Sequence, residues 1–207
     1  PEMARVESVN VGRVRPTTHG KLKRTAIDKR PVTGATYIGE LGLDGDEIAD
    51  LAHHGGPDKA VYMFAREDYA HWETELDRPL ASGVFGENLT TIGLDIQNAL
   101  MGERWRIGDA LLEVTSVRIP CSVFAGFLDE PRWVKRFTAH GVPGAYLRVL
   151  EPGHVAAGDP VVVDERPDHD LTVGLVFRAC TTERELLPRV AEEPRISAAL
   201  RQKATTR

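Results

Sequence analysis

Apolar residues recur at Val6, Val9, Val11 and Val14, with turn residues after them, which predicts a first strand over residues 6–14. A second short strand over residues 35–38 ends at Gly39. It gives way to Gly42-Leu43-Asp44-Gly45-Asp46, a loop of residues that tolerate positive φ. Residues 60–64 are an unbroken apolar run of strand length. The period then lengthens, with Tyr69, Trp72 and Leu76 on one face of a predicted helix over 66–76. Residues 85–89 read as short and extended. Trp105 and Ile107 lead into Gly108-Asp109, and Leu112, Val114 and Val117 follow, the pattern of a hairpin over 104–117. A short helix is predicted over 131–140, with Asp129 or Glu130 ahead of a proline in its first turn. Strands over 145–150 and 160–163 are flanked by glycine and proline.

Short, closely spaced strands with glycine turns and brief helices predict a mainly β chain, built as an antiparallel β-barrel. No long alternation of strand and helix argues for a doubly wound sheet instead. The pattern changes near residue 165, at the charged joint Arg166-Pro167-Asp168-His169-Asp170. Asp170 is placed to cap a helix over 172–180. A second is predicted from Thr181-Thr182-Glu183 to about Val190, and a third from Glu192-Glu193-Pro194 through Lys203. The expected organisation is therefore a barrel over 1–165 and a three-helix appendage over 166–207. So short an appendage holds little core of its own, so it should lean on the barrel or on another subunit.

Composition narrows the function classes. Hydrophobic residues make up 42% and charged residues 28% of the 207, enough for a packed core. The net charge of −5 and the absence of a Lys/Arg-rich run argue against a nucleic-acid or membrane-surface partner. No run approaches the roughly 18 apolar residues of a membrane helix, and no signal pattern opens the sequence, so a soluble, cytoplasmic protein is expected. Two cysteines, Cys121 and Cys180, cannot form a disulfide framework and read as reduced thiols.

Cys121 carries the sharpest chemical signal. It follows Pro120 and stands three residues after Arg118, so the thiol sits on a stiff segment beside a guanidinium that suits a thiolate. A thiolate is both nucleophile and metal ligand, although a small buried hydrophobe is the commonest fate of a free cysteine. The second signal is His53-His54-Gly55-Gly56-Pro57-Asp58-Lys59. Paired glycines let backbone approach a ligand and aim N–H groups at an anion, Lys59 suits a phosphate, and His54 is a donor or ligand. A polar turn with glycines in left-handed geometry explains the same residues. The cysteines lack C-x-x-C spacing and the histidines lack H-x₃₋₅-H spacing, which argues against a structural zinc site. Cys121 with His54, oriented by Asp44 or Asp46, would make a Cys-His thiol enzyme. Gly86-Glu87-Asn88 puts a carboxylate and an amide at a strand end, where they bind a polar ligand edge or satisfy a turn. Cys180 shares an apolar face with Leu175, Val176 and Phe177 and reads as core.

Six blocks occur in order: Lys29-Arg30-Pro31-Val32, Gly42-Leu43-Asp44-Gly45-Asp46, His54-Gly55-Gly56-Pro57-Asp58-Lys59-Ala60, Phe85-Gly86-Glu87-Asn88-Leu89, Ile107-Gly108-Asp109 and Arg118-Ile119-Pro120-Cys121. Together they resemble the MOSC-domain family, the molybdenum cofactor sulfurase C-terminal domain. The helical tail resembles that of its YiiM-like branch. The resemblance implies a β-barrel that binds a molybdenum–molybdopterin cofactor, with Cys121 as the molybdenum ligand. It makes Lys29, His54, Gly55, Gly56, Lys59 and Arg118 candidates to hold the pterin and its phosphate, and Asn88 a candidate for its amide edge. It implies reduction of N-hydroxylated compounds such as 6-hydroxylaminopurine to amines, with His54 as candidate proton donor. No cysteine cluster for an iron–sulfur centre and no G-x-G-x-x-G are present, so electrons are expected from a separate flavoprotein or ferredoxin-type protein. A homodimer is expected. Two alternatives stay open: a cofactor carrier or sulfur-transfer protein without turnover, and a cofactor-free thiol enzyme.

Overall fold

The structure, a computed structural model, describes residues 3–50 and 55–206, so His53 and His54 lie outside the described residues. The strands are β1 (Arg5–Val11), β2 (Arg15–Pro16), β3 (Arg24–Thr25), β4 (Arg30–Pro31), β5 (Thr36–Gly39), β6 (Gly42–Leu43), β7 (Val61–Ala65), β8 (Leu89–Ile92), β9 (Arg104–Ile107), β10 (Ala110–Val117), β11 (Ala145–Glu151), β12 (Gly153–Val155) and β13 (Val161–Glu165). The helices are α1 (Arg66–Leu76), α2 (Ser122–Leu128), α3 (Trp133–His140), α4 (Val173–Cys180), α5 (Leu187–Ala191) and α6 (Ala198–Thr205). Two 3-10 turns cover Pro57–Lys59 and Arg184–Leu186.

Eight strands form one sheet in the order β13-β9-β10-β11-β7-β8-β1-β4. All of its pairings are antiparallel except β7 with β8, which run parallel. Strand β7, helix α1 and strand β8 thus make a crossover unit, since parallel neighbours need a connection that carries the chain back. Every residue of β7 and of β10 is buried, as expected of strands covered on both faces.

The expected antiparallel β-barrel is not found as a closed, all-antiparallel one: the sheet is mixed, and among the described residues no ladder joins its edge strands β13 and β4. The segment leading into β13 meets β1 rather than the other edge strand, β4: Arg5 and Pro160 form an isolated bridge, Val6 N–H donates to the Asp159 carbonyl, Gly158 N–H to the Val6 carbonyl and Val161 N–H to the Ala4 carbonyl. Beyond the bridge, Val162 and Val163 of β13 stand exposed.

Several boundaries differ from the sequence pattern for local reasons. The first strand stops at Val11, because Gly12 packs against the backbone of the Ala26–Asp28 segment, where a Cβ would lie 2.7 Å from the Ala26 carbonyl oxygen. The helix after Cys121 was not predicted; it is only seven residues long and carries one apolar turn. In the tail, Thr172 rather than Asp170 caps α4, its hydroxyl accepting from Leu175 N–H at 3.1 Å. Asp170 instead pairs with Arg189. The second predicted tail helix resolves into a 3-10 turn followed by α5, and the third starts later, capped by Ser197.

The tail packs on the sheet through backbone as well as side chains. Met101 N–H donates to the Leu171 carbonyl, Val173 N–H to Ala99, and Ser197 N–H to Thr115. Val173, Val176, Phe177, Val190 and Leu200 join the same buried cluster as the sheet residues. Trp72, Trp105 and Trp133 are all buried, in keeping with their reading as core aromatics.

Candidate functional site

The end of β10 positions the central residues. The pairing register shifts between Val114 and Ser116, and after Val117 the chain leaves the strand through Arg118, Ile119 and Pro120. Cys121 follows as the N-cap residue of α2, with φ −132° and ψ 173°. Its side chain is half-buried and lines a cavity of about 890 Å³.

Arg118 lies under the same cavity and is only 4% exposed. One Nη1–H donates to the Phe85 carbonyl at 2.7 Å. The guanidinium sits 3.7 Å from the centre of the Phe124 ring and 5.3 Å from that of Tyr62. Its buried Nε has no hydrogen-bond partner among the described residues. A buried donor left unpaired is costly, and this one belongs to a charged group on a ligand-sized hollow.

The opposite wall is fixed by a second network. Lys29 Nζ pairs with Asp46 Oδ1 at 2.7 Å, both side chains being at most 10% exposed. Asp46 also accepts from Gly12 N–H at 2.9 Å and from Asn88 Nδ2 at 2.9 Å. The other end of the Asn88 amide accepts from Tyr62 N–H at 3.0 Å, and Asn88 N–H donates to the Tyr62 carbonyl. Asn88 therefore ties β7 and β8 to Asp46, and through Asp46 it aims Lys29. Gly83 permits this wall to close: a Cβ there would lie 2.3 Å from the Lys29 carbonyl oxygen.

Tyr62 and Tyr146 face each other across the β7–β11 pair and both line the cavity. Burial pushes both phenols up, with Arg118 opposing. Lys59 closes the 3-10 turn and stands 5.5 Å from the Tyr146 ring centre. Burial pulls its ammonium down, against the charges of Asp58 and Asp50. Gly55 and Gly56 both take left-handed φ, 90° and 79°, so only glycine passes through this corner without strain.

Of the residues singled out in the sequence, Cys121, Arg118, Lys29, Lys59, Asn88 and Gly55 all line this one cavity. Gly56 borders a smaller hollow of about 240 Å³ between the glycine corner and α6. His54 lies outside the described residues. Tyr62, Tyr146, Cys180 and Lys203 were missed as lining residues. A tyrosine inside an otherwise apolar strand was the available signal for the first two. Cys180 is buried, as read, but it also borders the cavity.

The lining is electropositive. Lys21, Arg24, Lys29, Lys59, Arg118 and Lys203 face Asp46, Glu47 and Asp50, in a chain whose net charge is −5. Six cations against three carboxylates favour an anionic ligand. Among the described residues no three histidine, cysteine or acidic side chains gather as a metal site. Of the two thiols on the lining, Cys121 is the half-buried one and Cys180 is buried, so a metal would meet Cys121 as its soft ligand and take the rest of its coordination from a bound group.

The fold and cavity define a class: a mixed-sheet protein that presents one half-buried thiol and several cations to an enclosed hollow. The chain belongs to the MOSC-domain family, whose model matches residues 50–162. It is 36% identical to Protein YiiM of Escherichia coli over 80% of this chain and 74% of that one. Its fold matches the crystal structure of YiiM from Geobacillus stearothermophilus with a TM-score of 0.81 at 29% identity, covering 97% of both chains. It is also 32% identical to a protein named reductase from Gibberella moniliformis, over 90% of this chain but only 34% of the reductase. Among the described residues, no helix is long and apolar enough to cross a membrane.

Proposed function

We propose that the cavity holds a molybdenum–molybdopterin cofactor and that the protein reduces N-hydroxylated compounds to amines. The observation that carries the reading is Cys121 and the unpaired, buried Nε of Arg118 facing one electropositive cavity. The residues present fit such a group: a single soft ligand for the metal, and buried cations for a phosphate. Membership of the MOSC family and likeness to a protein named reductase support it.

In this reading Cys121 is the metal ligand, and Arg118 and Lys29 hold the anionic part of the cofactor. Gly55 and Gly56 let the backbone come close. Asn88 acts through Asp46, keeping Lys29 in place, rather than by reading an amide edge itself. When bound, the cofactor supplies the two-electron chemistry that takes the hydroxyl oxygen from nitrogen. Overall, R–NH–OH, two electrons and two protons become R–NH₂ and water. The chain's share is to orient the substrate, exclude water with the aromatic floor of Tyr62, Phe85 and Tyr146, and supply protons. His54 is the donor the sequence offers. Electrons come from a separate flavoprotein or ferredoxin-type partner, and we place the protein in the cytoplasm as a homodimer.

The test is metal analysis by mass spectrometry with pterin fluorescence after oxidation, on protein made with molybdate in a cofactor-producing host. Reduction of 6-hydroxylaminopurine with an artificial electron donor is read alongside. Molybdenum and pterin in the parent, with metal and reduction lost in Cys121→Ser, are expected. Parent protein free of both despite good supply, or a Cys121→Ser variant as active as the parent, overturns the reading.

A further inference from the structure

Helix α6 is part of the cavity wall. Ala199, Leu200 and Lys203 line it, as does Cys180 at the end of α4. The helix is held there by backbone and side chain together. Ser197 N–H donates to Thr115, Ser197 Oγ caps Leu200 N–H at 3.1 Å, and Asp58 Oδ2 accepts from Ala198 N–H at 2.9 Å. Asp58 lies beside Lys59, so one short turn both anchors α6 and supplies a cation facing it.

Lys203 is half-buried on this wall and has no carboxylate partner among the described residues. Two other cavity cations are engaged by the fold. Lys29 is neutralised by Asp46, and Arg118 spans the aromatic floor below Cys121. The charges of Lys59, Cys180 and Lys203 act on one another, as expected of groups sharing a corner. Lys59 stands over the Tyr146 ring, and the charge of Arg118 also reaches the Tyr146 phenol. Cations therefore line the hollow both from the Arg118 segment and from the tail helix α6.

We propose that Lys203 and Lys59 form an anion subsite for the substrate, so that the preferred substrate is an N-hydroxylated base carrying a phosphate monoester, a nucleotide rather than the free base. This rests on the reduction reading above and names its substrate class. Lys203 is then a specificity-determining residue contributed by the tail. A phosphate monoester is the shared chemistry of a nucleotide and of the pterin's own phosphate, so the test must tell them apart.

The experiment compares kcat/KM for N6-hydroxyadenosine 5′-monophosphate and for 6-hydroxylaminopurine, in cofactor-loaded parent, Lys203→Gln and Lys203→Arg. Molybdenum and pterin content are measured on the same samples. Calorimetric binding of adenosine monophosphate and of adenosine, neither of which has an N–O bond, is read without turnover. The parent should prefer the monophosphate. Lys203→Gln should lower the preference about tenfold, the scale of one charge-assisted contact, and Lys203→Arg should restore it. Cofactor content should stay at the parent level, and adenosine monophosphate should bind more weakly to Lys203→Gln. An unchanged preference in Lys203→Gln overturns the proposal. So does loss of pterin and molybdenum in that variant, which would assign the subsite to the cofactor. If the loaded parent reduces neither compound, the reduction reading falls, and the calorimetry alone decides the subsite: equal binding of adenosine monophosphate by parent and variant overturns it.

Discussion

Glu87 shows what a single residue of the sequence pattern can hide. In the sequence it reads as a polar group at a strand end, open to a ligand or to a turn. In the fold it is fully buried behind the cavity, accepting from the Tyr69 hydroxyl, while that same hydroxyl accepts from Phe85 N–H at 3.0 Å. Phe85 in turn holds Arg118 through its carbonyl. Burial raises the Glu87 carboxyl to about 8. The folded protein keeps this proton to about pH 8, whereas the unfolded chain gives it up near the ordinary carboxyl value of 4.5. Between those values the unfolded chain binds fewer protons, so stability is full below the lower value and falls as pH rises through the upper one. The slope from one proton is at most about 1.4 kcal/mol per pH unit. Glu87→Gln mimics the protonated acid and should flatten the fall of the urea midpoint between pH 5 and pH 9. Asp68, raised to about 6 by burial, contributes in both proteins and cancels in the comparison. Parallel curves for parent and variant would show that Glu87 does not carry this proton. The sequence identified Cys121, Arg118, Lys29 and Lys59 because thiols and cations announce their chemistry. It did not identify Tyr62 or Tyr146, because a buried phenol in an apolar run looks like packing until its neighbours are known.

Elements were legible where one pattern dominated. The hairpin of β9 and β10, helix α1 and strand β7 all lie where the apolar period put them. Helix α2 was not legible, because its seven residues, Ser122–Leu128, offer too few turns for a periodic signal. The start of α6 was misplaced because Glu193 and Pro194 resemble an opening turn, whereas Ser197 provides the cap. The link from the Gly55–Lys59 corner to α6 could not be read at all: Asp58 and Ala198 are 140 residues apart in sequence. That link makes a testable claim. Asp58→Ala removes the acceptor for Ala198 N–H and should destabilise the protein by about 1 kcal/mol, the usual cost of a lost cap. Amide hydrogen exchange should quicken in α6 more than in α4, which keeps its own cap at Thr172. Uniform quickening in both helices would mean that Asp58 does not anchor α6 in particular.

For the whole molecule, local patterning settled the mainly β character and the helical tail, but not closure. Whether a sheet closes depends on how its two edges meet, and here, among the described residues, the segment around Pro160 meets residues 4–6 through one isolated bridge and three backbone hydrogen bonds, while β4 stays apart from it. The parallel β7–β8 pair was hidden for the same kind of reason, since strand direction is a property of partners and not of either strand. The tail also leans on the sheet, as its small size suggested. Val173, Phe177, Val190 and Leu200 share the buried cluster, and backbone hydrogen bonds tie the tail to residues 97–101 and to Thr115. A chain cut after Glu165 should therefore lose its cooperative unfolding transition and near-ultraviolet dichroism, because total stability of roughly 5–15 kcal/mol does not survive uncovering so many apolar side chains. A truncated chain that still unfolds cooperatively would make 1–165 self-sufficient. The cavity's lining runs from Gly20 to Lys203, which has a consequence for biosynthesis. While the ribosome is still translating the tail, the thiol side of the hollow has no α6 wall. A ligand that needs both walls cannot template the earlier strands; it must enter a finished apoprotein, and loading becomes a step separate from folding.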